Sequence, residues 1–151
     1  FAVRAFDLSQ EALAKAQAAG AVRASGAADA VTGADAVVTM LPAGKHVEAV
    51  YTGEVFDAAK PGALFLDCST IDVTTARRVI DAATAKGFEM VDAPVSGGIA
   101  AANGGTLTFM VGGGDDAFAR AKPILSAMGK AVIHAGGAGN GQAAKICNNM
   151  L

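Results

Sequence analysis

Ala36-Val37-Val38-Thr39-Met40-Leu41-Pro42 is a continuous apolar run closed by a proline. A run without alternation marks a strand covered on both faces, and Pro42 stops it by lacking an N–H and holding its predecessor extended. Such a strand needs helices above and below it, so the rest of the chain should alternate between strand and helix. Upstream, residues 1–6 have strand character ending at Asp7. Residues 8–19 follow as a helix with Ser9 as N-cap, Leu13 and Ala16 on one face and Gly20 as C-cap. Residues 21–24 form a short strand, and residues 27–31 a short helix closed by Gly33.

Downstream, residues 45–51 read as a helical turn or two and residues 64–67 as a short buried strand. Residues 73–86 form a helix capped by Asp72 or Thr70, with Val79 and Ala83 facing inward and Gly87 at its end. A strand at 88–93, a loop at 94–105 and a strand at 106–111 come next. A helix at 115–128, a last short strand at 131–134 and a helix starting near Gly141 complete the order. Strands alternating with helices of about 10–15 residues predict an α/β fold with a mainly parallel sheet.

The 151 residues make one domain, or a large piece of one. Apolar residues are 52% and charged residues 17%, enough for a sizeable core and against disorder. The 19 glycines show no period, which suits tight turns and close backbone approach to a ligand. A net charge of -2 without a Lys/Arg run argues against nucleic acid and anionic membranes as partners. No apolar run reaches the ~18 residues of a membrane span. Cys68 and Cys147 stand alone, and His46 and His134 lie far apart, so no metal site is expected. Isolated thiols suit a reducing compartment, expected to be the cytoplasm, or the mitochondrial matrix in a eukaryote. The chain opens on Phe1 inside an apolar run, without Met or a signal peptide, and stops at Met150-Leu151 in mid-helix, so a fragment is expected.

In a parallel sheet ligands sit beyond the carboxyl ends of the strands. That singles out Asp7, Leu41-Pro42, Ser69-Thr70, the stretch 94–98 and the stretch 112–114. Asp7 reads two ways: as an acceptor for adenosine ribose hydroxyls, which would repel a 2′-phosphate and favour NAD over NADP, or as an acid at a helix start. Gly112-Gly113-Gly114-Asp115-Asp116-Ala117 matches G-x-G-x-x-A loosely, but two acids at a helix N-terminus would repel a pyrophosphate. Ser96-Gly97-Gly98, after Pro94, is either an anion-binding nest or a plain turn. Of Ser69 and Thr70, one is expected to cap a helix and the other to meet a ligand. Lys145 and Asn149 stand four apart on one helix face with Asn148 beside them, joining an ammonium to carboxamides. No serine sits in G-x-S-x-G and neither histidine neighbours a nucleophile, which argues against a hydrolase triad.

Four stretches taken together resemble the β-hydroxyacid dehydrogenase family. They are Thr39-Met40-Leu41-Pro42, Asp67-Cys68-Ser69-Thr70-Ile71-Asp72, the D-A-P-V-S-G-G of residues 92–98 continuing to Leu107-Thr108-Phe109-Met110-Val111-Gly112-Gly113, and the G-x-G-Q-A-A-K-I-C-N-N of residues 139–149. The resemblance implies a Rossmann-type, doubly wound domain that binds NAD, with NADP the poorer cofactor. Residues 1–140 would be a partial NAD-binding domain lacking its first βα unit, and residues 141–151 the start of a long helix leading to an all-helical domain. It further implies Lys145 as the catalytic lysine, Asn149 with Ser96, Gly97 and Gly98 as substrate-binding residues, and Asp7, Met40, Leu41, Pro42 and Thr70 along the cofactor. His46 departs from the Asn found near the cofactor in relatives. The implied reaction is oxidation of 3-hydroxyisobutyrate to methylmalonate semialdehyde, a step of valine catabolism, in an enzyme that is a homo-oligomer. Sister activities on tartronate semialdehyde, succinic semialdehyde or glyoxylate share these motifs. The 6-phosphogluconate branch has K-x-x-H-N where this chain has Asn148. A non-catalytic dinucleotide-binding module is the alternative from another class.

Overall fold

The computed structural model describes residues 1–150; the expectation for Leu151 lies outside them. Among the described residues, eight strands and eight helices largely alternate, with β5 and β6, and α3 and α4, in direct succession. The strands are β1 (Arg4–Ala5), β2 (Val22–Arg23), β3 (Ala36–Thr39), β4 (Leu64–Asp67), β5 (Glu89–Asp92), β6 (Val95–Ser96), β7 (Leu107–Gly112) and β8 (Gly129–Gly136). The helices are α1 (Gln10–Ala18), α2 (Ala27–Val31), α3 (Gly44–Val50), α4 (Phe56–Ala58), α5 (Val73–Ala85), α6 (Gly98–Asn103), α7 (Asp115–Ser126) and α8 (Asn140–Met150). A π turn at Tyr51–Val55 joins α3 to α4, so the turn or two expected at 45–51 runs on to residue 58.

β1 and β2 pair in parallel with each other. The main sheet runs β3-β4-β5, all parallel, and then β7, which is antiparallel to β5 and β6 and parallel to β8. β4 is the strand covered on both faces. Leu64 and Leu66 pack with Val91, Phe109, Val111 and Leu125 on one side, while Phe65 packs with Tyr51, Phe56, Val79 and Met90 on the other. The aromatic rings of Tyr51, Phe56, Phe65 and Phe88 meet at centroid distances of 5.1–6.0 Å, within the range of favourable edge and offset contacts.

β3 corrects an expectation. Val37 is buried, yet Val38 is 45% exposed. Val38 and Ala36 share the face opposite Val37; Ala36 packs against the cluster around Leu64 and Leu66, while Val38 stays open among the described residues.

α5 shows how the sequence builds its helices. Asp72 is the N-cap and accepts the Thr75 N–H at 2.7 Å. Thr75, Ala76, Val79, Ile80 and Ala83 then fall on one buried face at helical spacing. Ser9 caps α1 in the same way, accepting the Ala12 N–H. The segment 94–105, expected as a loop, instead holds β6 and α6, because Val95 and Ser96 continue beside β7 and three alanines follow.

Candidate active site

Register places one row of residues side by side across the sheet: Thr39, Asp67, Asp92 and Gly112. Thr39, Asp67 and Asp92 end three parallel strands, so the segments after them emerge along one edge. Those segments carry Met40, Leu41 and Pro42, then Ser69 and Thr70, then Ser96, Gly97 and Gly98.

Hydrogen bonds tie these segments together. The Leu41 N–H donates to Ser69 Oγ at 2.8 Å, and Ser69 Oγ donates to Asp67 Oδ1 at 2.6 Å. Thr39 Oγ1 also donates to Asp67 Oδ1, at 2.9 Å, and lies 2.8 Å from the Tyr51 hydroxyl. Asp67 Oδ2 is buried without a hydrogen-bond partner. Burial pushes the Asp67 carboxyl up, against the Ser69 and Thr39 hydroxyls that hold it down. Burial, with the Asp67 charge beside it, also pushes the Cys68 thiol up to about 12, so that sulfur is no thiolate nucleophile.

Ser69 and Thr70 therefore differ from expectation. Ser69 is fully buried and braces the β3 and β4 loops, while the cap of α5 comes from Asp72. Thr70 is exposed, as is Met40 at 59%; Leu41 is half-buried and Pro42 exposed.

α8 closes this edge. It packs along β7, β8, β5 and α5. Lys145 is half-buried, and Asn148 and Asn149 are exposed. Asn148 Nδ2 donates to Ser96 Oγ at 3.4 Å, so the amide that reaches the Ser96 segment is Asn148, a neighbour of the expected Asn149. Gly97 and Gly98 have φ of +126° and +66°, the left-handed region that glycine tolerates, and both are exposed at the start of α6.

Two buried residues that meet at the start of α8, Asp92 from β5 and Gln142 from α8 itself, escaped the sequence reading. Asp92 Oδ1 accepts the Gly139 N–H at 2.8 Å and Oδ2 accepts the Gln142 N–H at 2.9 Å. Burial raises the Asp92 carboxyl, and these N–H bonds offset part of the rise. The Gln142 side chain is fully buried; its Nε2 donates to the Ser69 carbonyl at 2.7 Å and its Oε1 accepts the Ile71 N–H at 3.1 Å. A glutamine in a helical stretch reads as a helix former, and nothing in its neighbours announces a buried partner.

Asp7 stands apart from this cluster. It follows β1 in the two-stranded sheet, is exposed, and accepts the Ser9 N–H at 2.7 Å through Oδ1. It serves the start of α1, and its second oxygen remains open to a ribose hydroxyl. The stretch 112–114 also departs from expectation. β7 runs against β5, so Gly112 stays beside Asp92 while Gly113 runs on beside Val91 and Met90, toward the opposite edge, and Asp115 and Asp116 occupy the first turn of α7.

An exposed acid after β1, a glycine turn after β6 and apolar and hydroxyl side chains after β3 and β4 fit a dinucleotide lying along the strand ends. Residues 1–137 match the family described as the NAD binding domain of 6-phosphogluconate dehydrogenase. The 3-hydroxyisobutyrate dehydrogenase of Pseudomonas aeruginosa is 50% identical over 153 aligned residues, covering 99% of this chain and 51% of that protein. The NAD-dependent L-serine dehydrogenase of the same organism is also 50% identical, over 100% of this chain and 51% of its own length. Among solved structures, Mycobacterium tuberculosis 3-hydroxyisobutyrate dehydrogenase with L-serine superposes with a TM-score of 0.96 at 48% identity, covering 99% of this chain and 51% of that one. The chain thus spans about half the length of the curated relatives it matches. Its sequence, its sheet and its strand-end residues agree: the chain belongs to the β-hydroxyacid dehydrogenase family and carries that family's NAD-binding domain.

Proposed function

We propose that the intact gene product oxidises a short β-hydroxy acid with NAD, with 3-hydroxyisobutyrate the foremost substrate and Lys145 the group that moves the hydroxyl proton. The observation that carries this reading is the convergence of α8 on the strand-end segments. One helix brings Lys145 and Asn148 to the side of the sheet where Ser96, Gly97 and Gly98 turn, and Asn148 bonds Ser96 directly. NAD supplies the hydride acceptor. The protein's own work is to orient the substrate and transfer a proton.

In this reading the Ser96 hydroxyl and the N–H groups of Gly97 and Gly98 hold the substrate carboxylate, with Asn149 alongside. The Lys145 ammonium exchanges the proton of the carbinol, as base in oxidation and as acid in reduction. Met40, Leu41, Pro42 and Thr70 flank the cofactor, and Asp7 takes the adenosine ribose. Residues 1–140 are the cofactor-binding part, and α8 is the beginning of the helix that leads to the substrate-covering part.

L-serine is a second substrate to weigh, since it too is a β-hydroxy acid, and it appears in the names of two relatives near 50% identity. The test is NAD- and NADP-linked turnover by the intact gene product across 3-hydroxyisobutyrate, L-serine, glycerate (the alcohol of tartronate semialdehyde) and related β-hydroxy acids. Fastest turnover of 3-hydroxyisobutyrate with NAD supports the reading. Preference for L-serine or glycerate moves the substrate and keeps the chemistry. No turnover with any of them leaves a dinucleotide-binding module.

A further inference from the structure

The geometry points to Asp92 and Gln142 as positioning residues that clasp the first turn of α8 to the strand ends and thereby set the place of Lys145. This inference rests on Lys145 being the proton-transfer group. Asp92 is 1% exposed and Gln142 fully buried, and all four of their side-chain polar atoms are engaged. Asp92 reaches from β5 to two N–H groups of the α8 start, residues 47 and 50 positions further along the chain. Gln142 reaches back from α8 to both sides of the segment after β4, at Ser69 and Ile71. Lys145 lies three residues beyond Gln142, about 4.5 Å along the axis at 1.5 Å per residue.

A local Ser or Asp cap would satisfy the helix start without burying a charge. Here a carboxylate is buried instead, in register with a second buried acid, Asp67. Helix stability alone does not call for that arrangement. It does fix α8 to β5, whose continuation into β6 carries Ser96, and to the segment after β4, which carries Thr70. Close packing supports the clasp. A Cβ on Gly141 would lie 2.7 Å from the Asp92 carbonyl oxygen, and one on Gly112 would lie 2.6 Å from the Gly141 nitrogen. The start of α8 therefore has no slack against the sheet.

The test uses the intact gene product and the hydroxy acid it turns over fastest, with rates normalised to NADH-binding sites titrated by fluorescence so that unfolded molecules do not count. Asp92→Asn and Gln142→Met keep side-chain size and break the clasp. Each is expected to lower kcat by about 10–100-fold, the cost of a small misplacement of a reacting group, with the NADH Kd unchanged. In a Lys145→Ala background, Asp92→Asn should add no further loss, because it acts through the lysine. Wild-type kcat in both single variants overturns the clasp, as does an equal further loss in the Lys145→Ala background. Should Asp92→Asn yield no NADH-binding protein, Gln142→Met, which removes no charge, decides alone. Lys145→Ala with near-normal turnover would overturn the reading of Lys145 itself, and the clasp with it. An inactive Lys145→Ala beside fully active clasp variants overturns the clasp only.

Discussion

Replacing Gly141 by alanine sets two effects of opposite sign against each other. Alanine is the better helix former by about 1 kcal/mol, and Gly141 lies within α8. Yet its Cβ would sit 2.7 Å from the Asp92 carbonyl oxygen, 2.8 Å from Asp92 Oδ2, and against the Met110 carbonyl. Two of these are backbone atoms of β5 and β7, held by the sheet, so they cannot swing aside as a side chain would. Overpacking of this kind costs about 1–3 kcal/mol, and contact with fixed backbone belongs at the upper end. The net expectation is a loss of about 2 kcal/mol, with lower turnover as α8 shifts. Gly53 is the control: it sits in the helical π turn with no atom within 4 Å of its Cβ position. Gly53→Ala should gain about 0.5–1 kcal/mol. Urea unfolding of the intact gene product, followed by circular dichroism with slopes compared, measures both. A Gly141→Ala protein as stable as Gly53→Ala would refute the close-approach argument.

Lys145→Ala should cut turnover by about 10²–10⁴-fold, the usual worth of an acid–base group, while NADH binding is kept; steady-state rates beside fluorescence titration check this. Asp67→Asn tests the buried acid. Its carboxyl is raised in the folded protein, so its contribution to stability is fullest below the ordinary carboxylate pKa and is lost as pH rises through the raised value. The variant has no such loss, and its stability relative to wild type should improve by urea midpoint as pH rises above the ordinary carboxylate pKa; a pH-independent difference would sink the assignment. Asp7→Asn should weaken NAD and improve NADP, read as the ratio of kcat/KM for the two cofactors, since it removes the charge that repels a 2′-phosphate.

Much of this protein was legible in one dimension. Asp72, Ser9, Gly33 and Gly87 mark helix ends through local chemistry, and the uninterrupted apolar run of β4 announces a doubly covered strand. D-A-P-V-S-G-G and G-x-G-Q-A-A-K-I-C-N-N carry the family and its candidate residues, because their meaning lies in residue order. Tertiary structure decided what depends on who lies next to whom. The same kind of apolar run leaves Val38 open in β3, because which helix packs over a sheet face is not encoded in a local pattern. β7 reverses direction and takes the chain after Gly112 away from the ligand edge. Ser69 turns inward as a brace while Thr70 stays exposed. Asp92 and Gln142 find partners about 50 and 70 residues away, and a buried hydrogen bond over that distance leaves no trace in the spacing of the residues that make it.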